Sequence, residues 1–193
     1  MSETSRALPQ LDVRRHALRE HVLQHSLKTG SFMLKSGRTS KWFLDSKQTA
    51  CRSDGILLVS DVALAILPSE IDAIGGLTMG ADPVAFGIAA VAATRGRTLR
   101  SFSVRKEAKD HGVTGRIAGA LQPGDRVAIV EDTVTRGTSL FEAVEVVRAF
   151  GATPVFITVI VDRGGTCAEM ALHANIKYEP MLTAPDLGYE YGS

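Results

Sequence analysis

The chain has 193 residues, with 22 Lys plus Arg against 21 Asp plus Glu and a formal net charge of +1. That length points to a single domain with a sizeable core, and the charge balance argues against a nucleic-acid or membrane-surface protein, which carries a basic excess. Two isolated cysteines, Cys51 and Cys167, indicate neither a zinc site nor a disulfide scaffold. No apolar run approaches the roughly 20 residues of a membrane span, and residues 1–10 lack a basic-then-apolar leader, so a cytoplasmic soluble chain is expected.

Residues 11–29 carry apolar side chains at helical spacing, and Gly30 is placed to stop the helix. His21 and His25 lie four apart on it, the spacing of a metal pair. With no third ligand at a useful spacing, they read as part of an exposed polar face, and no metal-ligating residue is assigned. Residues 31–46, SFMLKSGRTSKWFLDS, hold two β-type runs, Phe32-Met33-Leu34 and Trp42-Phe43-Leu44, on either side of a polar turn. This is either an edge hairpin with its aromatics packed inward, or a place where Lys35 and the Trp42-Phe43 pair hold a flat, charged ring.

A helix over 53–67 ends before Pro68. A strand over 71–77 runs into glycines, and Thr78-Met79-Gly80-Ala81-Asp82-Pro83 leads to an Ala-rich buried helix over 84–93. The glycines there allow backbone to approach a ligand closely. After a strand over 99–104 comes the most polar stretch, R-K-E-A-K-D-H-G from Arg105, continuing to Arg116. A charge run of this kind is either a solvated loop or a cationic lid over a polyphosphate.

Residues 126–148, RVAIVEDTVTRGTSLFEAVEVVR, form the centre of the pattern. Val127 to Val130 read as a buried parallel strand, Glu131 and Asp132 close it, and a small, hydroxyl-rich loop follows. Ser139 with Glu142 reads as a capping box that starts the next helix. A loop from strand end to helix start aims backbone N–H groups and the positive end of a dipole at one point, which suits a phosphate. The paired carboxylates suit sugar hydroxyls or a divalent cation. The loop matches neither a Walker A nor a G-x-G-x-x-G pattern.

The β-branched run TPVFITVIV over 153–161 must be a central strand, and it delivers Asp162-Arg163-Gly164-Gly165 to the same sheet edge. The Arg163 fork either pairs with a neighbouring acid or meets a substrate carboxylate at two points. A short helix over 166–174, a last strand over 178–182 and a polar tail over 185–193 complete the chain. Strands alternating with helices imply an α/β fold with a central parallel sheet flanked by helices and ligands beyond the strand C-termini. A small N-terminal hood, mainly 11–50, would cover a core of about 53–183.

The hydrophobic run, acid pair and T-x-G-T-S loop resemble the phosphoribosyl diphosphate (PRPP) signature of type I phosphoribosyltransferases. The F-x-L-K-S-G-R-x-S…D stretch from Phe32 and the R-K-E-A-K-D-H-G run resemble orotate phosphoribosyltransferases. Four motifs arrive in the family's order, from Phe32 to about Leu187. The resemblance implies the type I phosphoribosyltransferase fold and transfer of phosphoribosyl from PRPP to orotate, giving orotidine 5′-phosphate and diphosphate in pyrimidine synthesis. It implies Mg²⁺ bridging diphosphate and ribose oxygens, and a homodimer in which each lid serves the neighbour's site.

Carried over residue by residue, Lys109 would be the catalytic cation, with Glu131 and Asp132 holding the ribose hydroxyls. Arg105, Lys106, His111 and Lys35 would meet the phosphates of PRPP. Thr135, Arg136, Gly137, Thr138 and Ser139 would anchor its 5′-phosphate, with Thr133 and Val134 also meeting PRPP. Orotate would lie against Trp42 and Phe43, with Lys35, Thr135 and Arg163 meeting its oxygens and carboxylate. Two departures stand out: relatives often carry a basic residue near Thr78-Met79, and Arg136 replaces a small residue of the phosphate loop, either pointing to solvent or adding a charge to the phosphate. A transferase for another nucleobase and a non-catalytic PRPP-sensing regulator that binds nucleic acid are the rival readings. Lys35, the aromatic pair and the lid motif favour orotate over the first; the neutral charge and intact lid lysines oppose the second.

Overall fold

The computed structural model describes the backbone of residues 4–33, 39–109 and 115–193, and the side chains of 10–33, 39–107 and 115–193. In chain order the elements are α1 (Thr4–His25), β1 (Leu27–Met33), β2 (Thr39–Leu44), α2 (Lys47–Ala50), α3 (Ser53–Ile66), β3 (Ala73–Leu77), α4 (Ala81–Thr94), β4 (Arg100–Lys109), β5 (Gly115–Gly119), β6 (Arg126–Val134), α5 (Thr138–Phe150), β7 (Thr153–Asp162), α6 (Cys167–His173), β8 (Lys177–Tyr178) and β9 (Leu182–Thr183). A 3-10 turn, Pro185–Leu187, follows.

The larger sheet has the order β5-β4-β3-β6-β7-β8, with β9 also pairing β7. All its ladders are parallel except β4 with β5. Residues 73–77 and 127–132 are buried throughout, as strands covered on both faces must be. On one face, α3 and α4 bury Val59, Ala63, Val84 and Ile88, and α1 packs outside them through Leu18 and Val22. On the other, α5 lays down Leu140, Ala143, Val144 and Val147, the i, i+3, i+4, i+7 stripe of a core-facing helix, beside Ala171 of α6. The loops leaving β3, β6 and β7 therefore meet at one edge of the sheet.

Several expectations are corrected in the hood and beyond. The first helix ends at His25, and residues 27–33, Gly30 included, belong to β1, which pairs antiparallel with β2 across an irregularity between Thr29 and Phe32. His21 is not on an exposed polar face: only 8% of it is exposed, against α2 and α3. The final strand is two short pieces, β8 and β9, each adding to β7. The charged run from Arg105 continues β4 as far as Lys109, so the part of it described is strand and not loop. Gly75 and Gly76 serve packing and not a ligand: a Cβ on either would lie 2.3 Å from the Phe102 carbonyl oxygen or 2.1 Å from that of Val130.

Candidate functional site

Near the C-terminal end of β6, past its pairing with β3, stand two acids in succession, both more than nine-tenths buried. Asp132 is held on every side: its Oδ1 accepts from the Thr133 N–H at 2.8 Å, and its Oδ2 accepts from Ser46 Oγ at 2.9 Å and Lys47 Nζ at 2.7 Å. Glu131 Oε1 accepts from the Asp132 N–H at 3.1 Å. Burial, then the charge of Asp132, pushes the Glu131 carboxyl up to about 8. Burial acts in the same direction on Asp132, but the Lys47 hydrogen bond and charge outweigh it and hold Asp132 below the usual carboxylate range. The two environments thus push the carboxyls apart, Asp132 toward its charged form and Glu131 toward its protonated one.

The turn after β3 lies against these acids. A Cβ on Gly80 would come within 1.9 Å of Glu131 Oε1 and 2.9 Å of Asp132 Oδ1, so only glycine lets the turn approach the pair. Thr78 Oγ1 and Ser103 Oγ donate to the two oxygens of Asp82, at 2.5 and 2.7 Å, and fix the start of α4.

Two residues beyond the acids, Thr135 and Arg136 are exposed, and Gly137, with φ +81, forms the left-handed corner from which α5 starts. The expected capping box does not form. Gly137 is the N-cap, no side chain caps the helix, and Glu142 pairs instead with Arg116. The first N–H groups of α5, with the positive end of its dipole, are consequently left to an external acceptor. Arg136 does not add a described contact of its own.

Beside this loop, the Arg163 N–H donates to the Val134 carbonyl at 2.8 Å, and Thr166 Oγ1 donates to that of Thr135 at 3.2 Å. Asp162 is spent on the turn: its Oδ1 accepts the Gly164 and Gly165 N–H groups, both at 2.9 Å, and its Oδ2 accepts the Tyr178 hydroxyl at 2.8 Å. Both of its oxygens are thus engaged within the chain. The Arg163 guanidinium lies 3.8 Å above the Trp42 ring, and its Nη2 donates to the Ser193 carbonyl at 3.3 Å. Two buried polar atoms at this edge, Thr133 Oγ1 and Arg163 Nε, have no partner among the described residues.

A scan against protein-family models finds no match. Relatives are plentiful nonetheless. The chain is 35% identical over 178 residues to an orotate phosphoribosyltransferase of Nostoc, covering 92% of this chain and 86% of that one. It is 38% identical over 182 residues to that of Streptomyces avermitilis, covering 93% and 100%. The chain belongs to the orotate phosphoribosyltransferase family. Among solved structures, the Mycobacterium tuberculosis orotate phosphoribosyltransferase in complex with Fe(III) dicitrate superposes with a TM-score of 0.80 at 35% identity, covering 91% of this chain and 99% of that one. The same enzyme in complex with PRPP gives 0.75 at 31%, with the same coverage.

Family membership does not make every expected contact visible. Lys35 and His111 lie outside the described residues, as does the side chain of Lys109. Arg105 donates to the Gly115 carbonyl at 3.2 Å and receives the Arg116 Nε–H on its own carbonyl at 2.7 Å, so it braces the β4–β5 hairpin; Lys106 is exposed. Trp42 and Phe43 do not form one platform. They alternate across β2, and Trp42, 1% exposed, is sandwiched between Arg163 and Tyr189, whose ring stacks at 4.5 Å and 14°. Phe43 faces the other way, 5.7 Å from Phe32. Ser46 and Lys47 were not singled out by the sequence, because nothing local marks a lysine whose partner, Asp132, lies 85 positions away.

Proposed function

We infer that this chain transfers the phosphoribosyl group of PRPP to orotate, releasing diphosphate and giving orotidine 5′-phosphate. Family membership and the meeting of an acid pair, an uncapped helix start and an arginine at one sheet edge support this reading, and the acid pair carries most of it. The 5′-phosphate would sit on the Thr135–Ser139 loop and the α5 N-terminus. The ribose hydroxyls would meet Glu131 and Asp132, and the diphosphate the Gly80 turn. As the bond from C1′ to diphosphate breaks, positive charge grows on the ribose. A buried carboxylate pair already holding one charge, with a second available near pH 8, stabilises that charge more strongly in a water-poor site than it would in water.

Lys109 of the lid, with Lys106 and His111, would neutralise the departing diphosphate. Lys47 and Ser46 act through Asp132, fixing the orientation of its charge. Orotate would bind between the phosphate loop and the hood, with its carboxylate toward the Arg163 fork, whose Nε lacks a partner among the described residues. Mg²⁺ fits the hard oxygen donors of this edge. With Asp132 already committed to Ser46 and Lys47, however, diphosphate and ribose oxygens would supply most of its ligands. The lid would serve the neighbouring site of a homodimer. No helix among the described residues is long and apolar enough to cross a membrane, and the reading carries a cytoplasmic location with it.

The deciding experiment is consumption of orotate, adenine, guanine or uracil in the presence of PRPP and Mg²⁺. Turnover confined to orotate is expected; turnover of another base, or tight PRPP binding with no turnover, would overturn the assignment. Mixing Lys109→Ala with Arg163→Ala chains tests the shared site. Each variant alone should be inactive and the mixture should regain activity; no recovery would mean that each subunit completes its own site.

A further inference from the structure

On the far side of the hood, α1 presents His21 and His25 one turn apart, and Asp54 in the first turn of α3 faces them. A potential ligand atom from each of the three lies within 4.8 Å of the others. His21 Nε2 is buried, has no hydrogen-bond partner among the described residues, and stands 3.5 Å from Asp54 Oδ2, too far for a good hydrogen bond. We propose that His21, His25 and Asp54 form a binding site for a divalent ion of the zinc–cobalt–nickel group, which clamps α1 to α3.

Three features of the packing favour this. His21 Nδ1 is engaged at 3.2 Å by Thr49 Oγ1, itself 2.6 Å from Ser26 Oγ, so the ring is held from behind with Nε2 toward Asp54. Metal-ligating imidazoles are characteristically anchored in this way through the other nitrogen. Asp54 is oriented likewise: its Oδ1 accepts from the Gly55 N–H at 3.1 Å and Arg52 Nε at 3.3 Å, which leaves Oδ2 to face the histidine. Ligands about 2.0–2.1 Å from a tetrahedral zinc are about 3.3 Å from one another. The His21–Asp54 distance is close to that already, and His25, half-buried near the end of α1 with its ring 4.5 Å from that of His21, offers a ring nitrogen within 4.8 Å of both.

Two imidazoles and one carboxylate select a borderline transition metal over Mg²⁺ or Ca²⁺ and leave a fourth position for water. Gly55 is part of the fit, since a Cβ there would lie 2.8 Å from His21 Cε1. The site is separate from the acid pair but mechanically joined to it. Thr49, behind His21, belongs to the short helix α2, and the same segment sends Ser46 and Lys47 to Asp132. An ion here would therefore stiffen the support of the catalytic carboxylates from outside the site.

The test uses the full chain without an affinity tag, stripped of metal by a chelator and kept free of PRPP and Mg²⁺. Co²⁺ is added and its visible d–d absorption followed, with Zn²⁺ as competitor. The chain, Cys51→Ser and Asp132→Asn should each bind one Co²⁺ with tetrahedral intensity and no thiolate charge-transfer band. His25→Ala and Asp54→Asn, which alter only partly or fully exposed side chains, should bind more than about tenfold more weakly while keeping normal orotate turnover. Zn²⁺ at about 100 times the Kd of the chain should raise the Tm of the chain by about 5–10 °C and that of both variants by no more than about half as much. Absence of Co²⁺ binding, retention of it in His25→Ala and Asp54→Asn, or loss of it in Cys51→Ser or Asp132→Asn would each overturn the proposal.

Discussion

Two pairs of neighbouring residues were expected to act as units: Trp42 with Phe43 in the hood, and Glu131 with Asp132 in the core. The first pair separates and the second converges. Trp42 and Phe43 sit inside a regular strand whose exposure alternates residue by residue, so their rings leave on opposite sides. Glu131 and Asp132 stand near the end of β6, where the glutamate reaches back over its own strand to the Asp132 N–H and both carboxyls arrive beneath Gly80. Both pairs lie within strands, so adjacency in sequence says little until one knows what packs beside them, here the Gly80 turn that both carboxyls reach.

The largest effect is expected from the pair that separates. Trp42 is fully packed, with Arg163 on one face, Tyr189 on the other, and its Nε1 donating to Ser193 Oγ at 3.0 Å. Trp42→Ala should cost about 3–5 kcal/mol of stability and lower the Tm by about 10 °C or more, read by calorimetry. A variant of nearly unchanged Tm with a raised KM for orotate would mean that the ring is a ligand platform and that the two aromatics do act together.

In the converging pair, Asp132→Asn keeps the shape and removes the charge, leaving Lys47 without its counter-ion. The expected loss is about 10²–10³ in kcat, with binding of orotate changed much less, the pattern for a charge that matters most in the transition state. A uniform rise in KM with kcat intact would assign Asp132 to ground-state binding of ribose alone.

The ease of reading one region and the difficulty of the other have the same physical origin. The β6–α5 segment was legible because its chemistry is local: an apolar run, two acids and a glycine corner within a dozen positions fix both the strand end and the helix start. Even there the cap was misjudged, since Ser139 and Glu142 fit a capping box by spacing while Gly137 at positive φ starts the helix and Arg116 takes the glutamate. The hood was harder because its contacts are long-range. Lys47 reaches Asp132, Trp42 is covered by the tail at Tyr189 and Ser193, and His21 meets Asp54 from another helix. No window along the chain contains those partners, and residues 27–29 passed for helix because the strand they pair with lies beyond the turn.

A smaller effect follows from the proton on Glu131. A carboxyl raised on folding, here from 4.5 to about 8, holds its proton more tightly in the folded chain than in the unfolded one. Its stabilising contribution is complete below pH 4.5 and is lost as pH rises toward 8, because the unfolded chain gives up that proton freely while the folded one must ionise a buried group beside Asp132. Stability of the ligand-free chain should fall by roughly 1–3 kcal/mol between pH 5 and 9 on this account. Glu131→Gln should remove that part of the slope, measured by denaturant unfolding at each pH. An identical slope in the variant would show that folding does not raise the Glu131 carboxyl.

The smallest effect belongs to Phe43, and it sharpens the comparison most. Its ring is 39% exposed and touches Phe32 across the hairpin, so Phe43→Ala forfeits little burial. A stability change within about 0.5 kcal/mol is expected, against several for its neighbour in sequence. Because Trp42 has no free face, Phe43 is the aromatic of the two still able to meet a flat ring. If it does, Phe43→Ala should raise the KM for orotate several-fold while leaving that for PRPP unchanged, and the two parameters are separable by varying each substrate at saturation of the other. Unchanged KM values for both substrates would place the ring of orotate away from β2 altogether, leaving the Arg163 fork and the phosphate loop as its support.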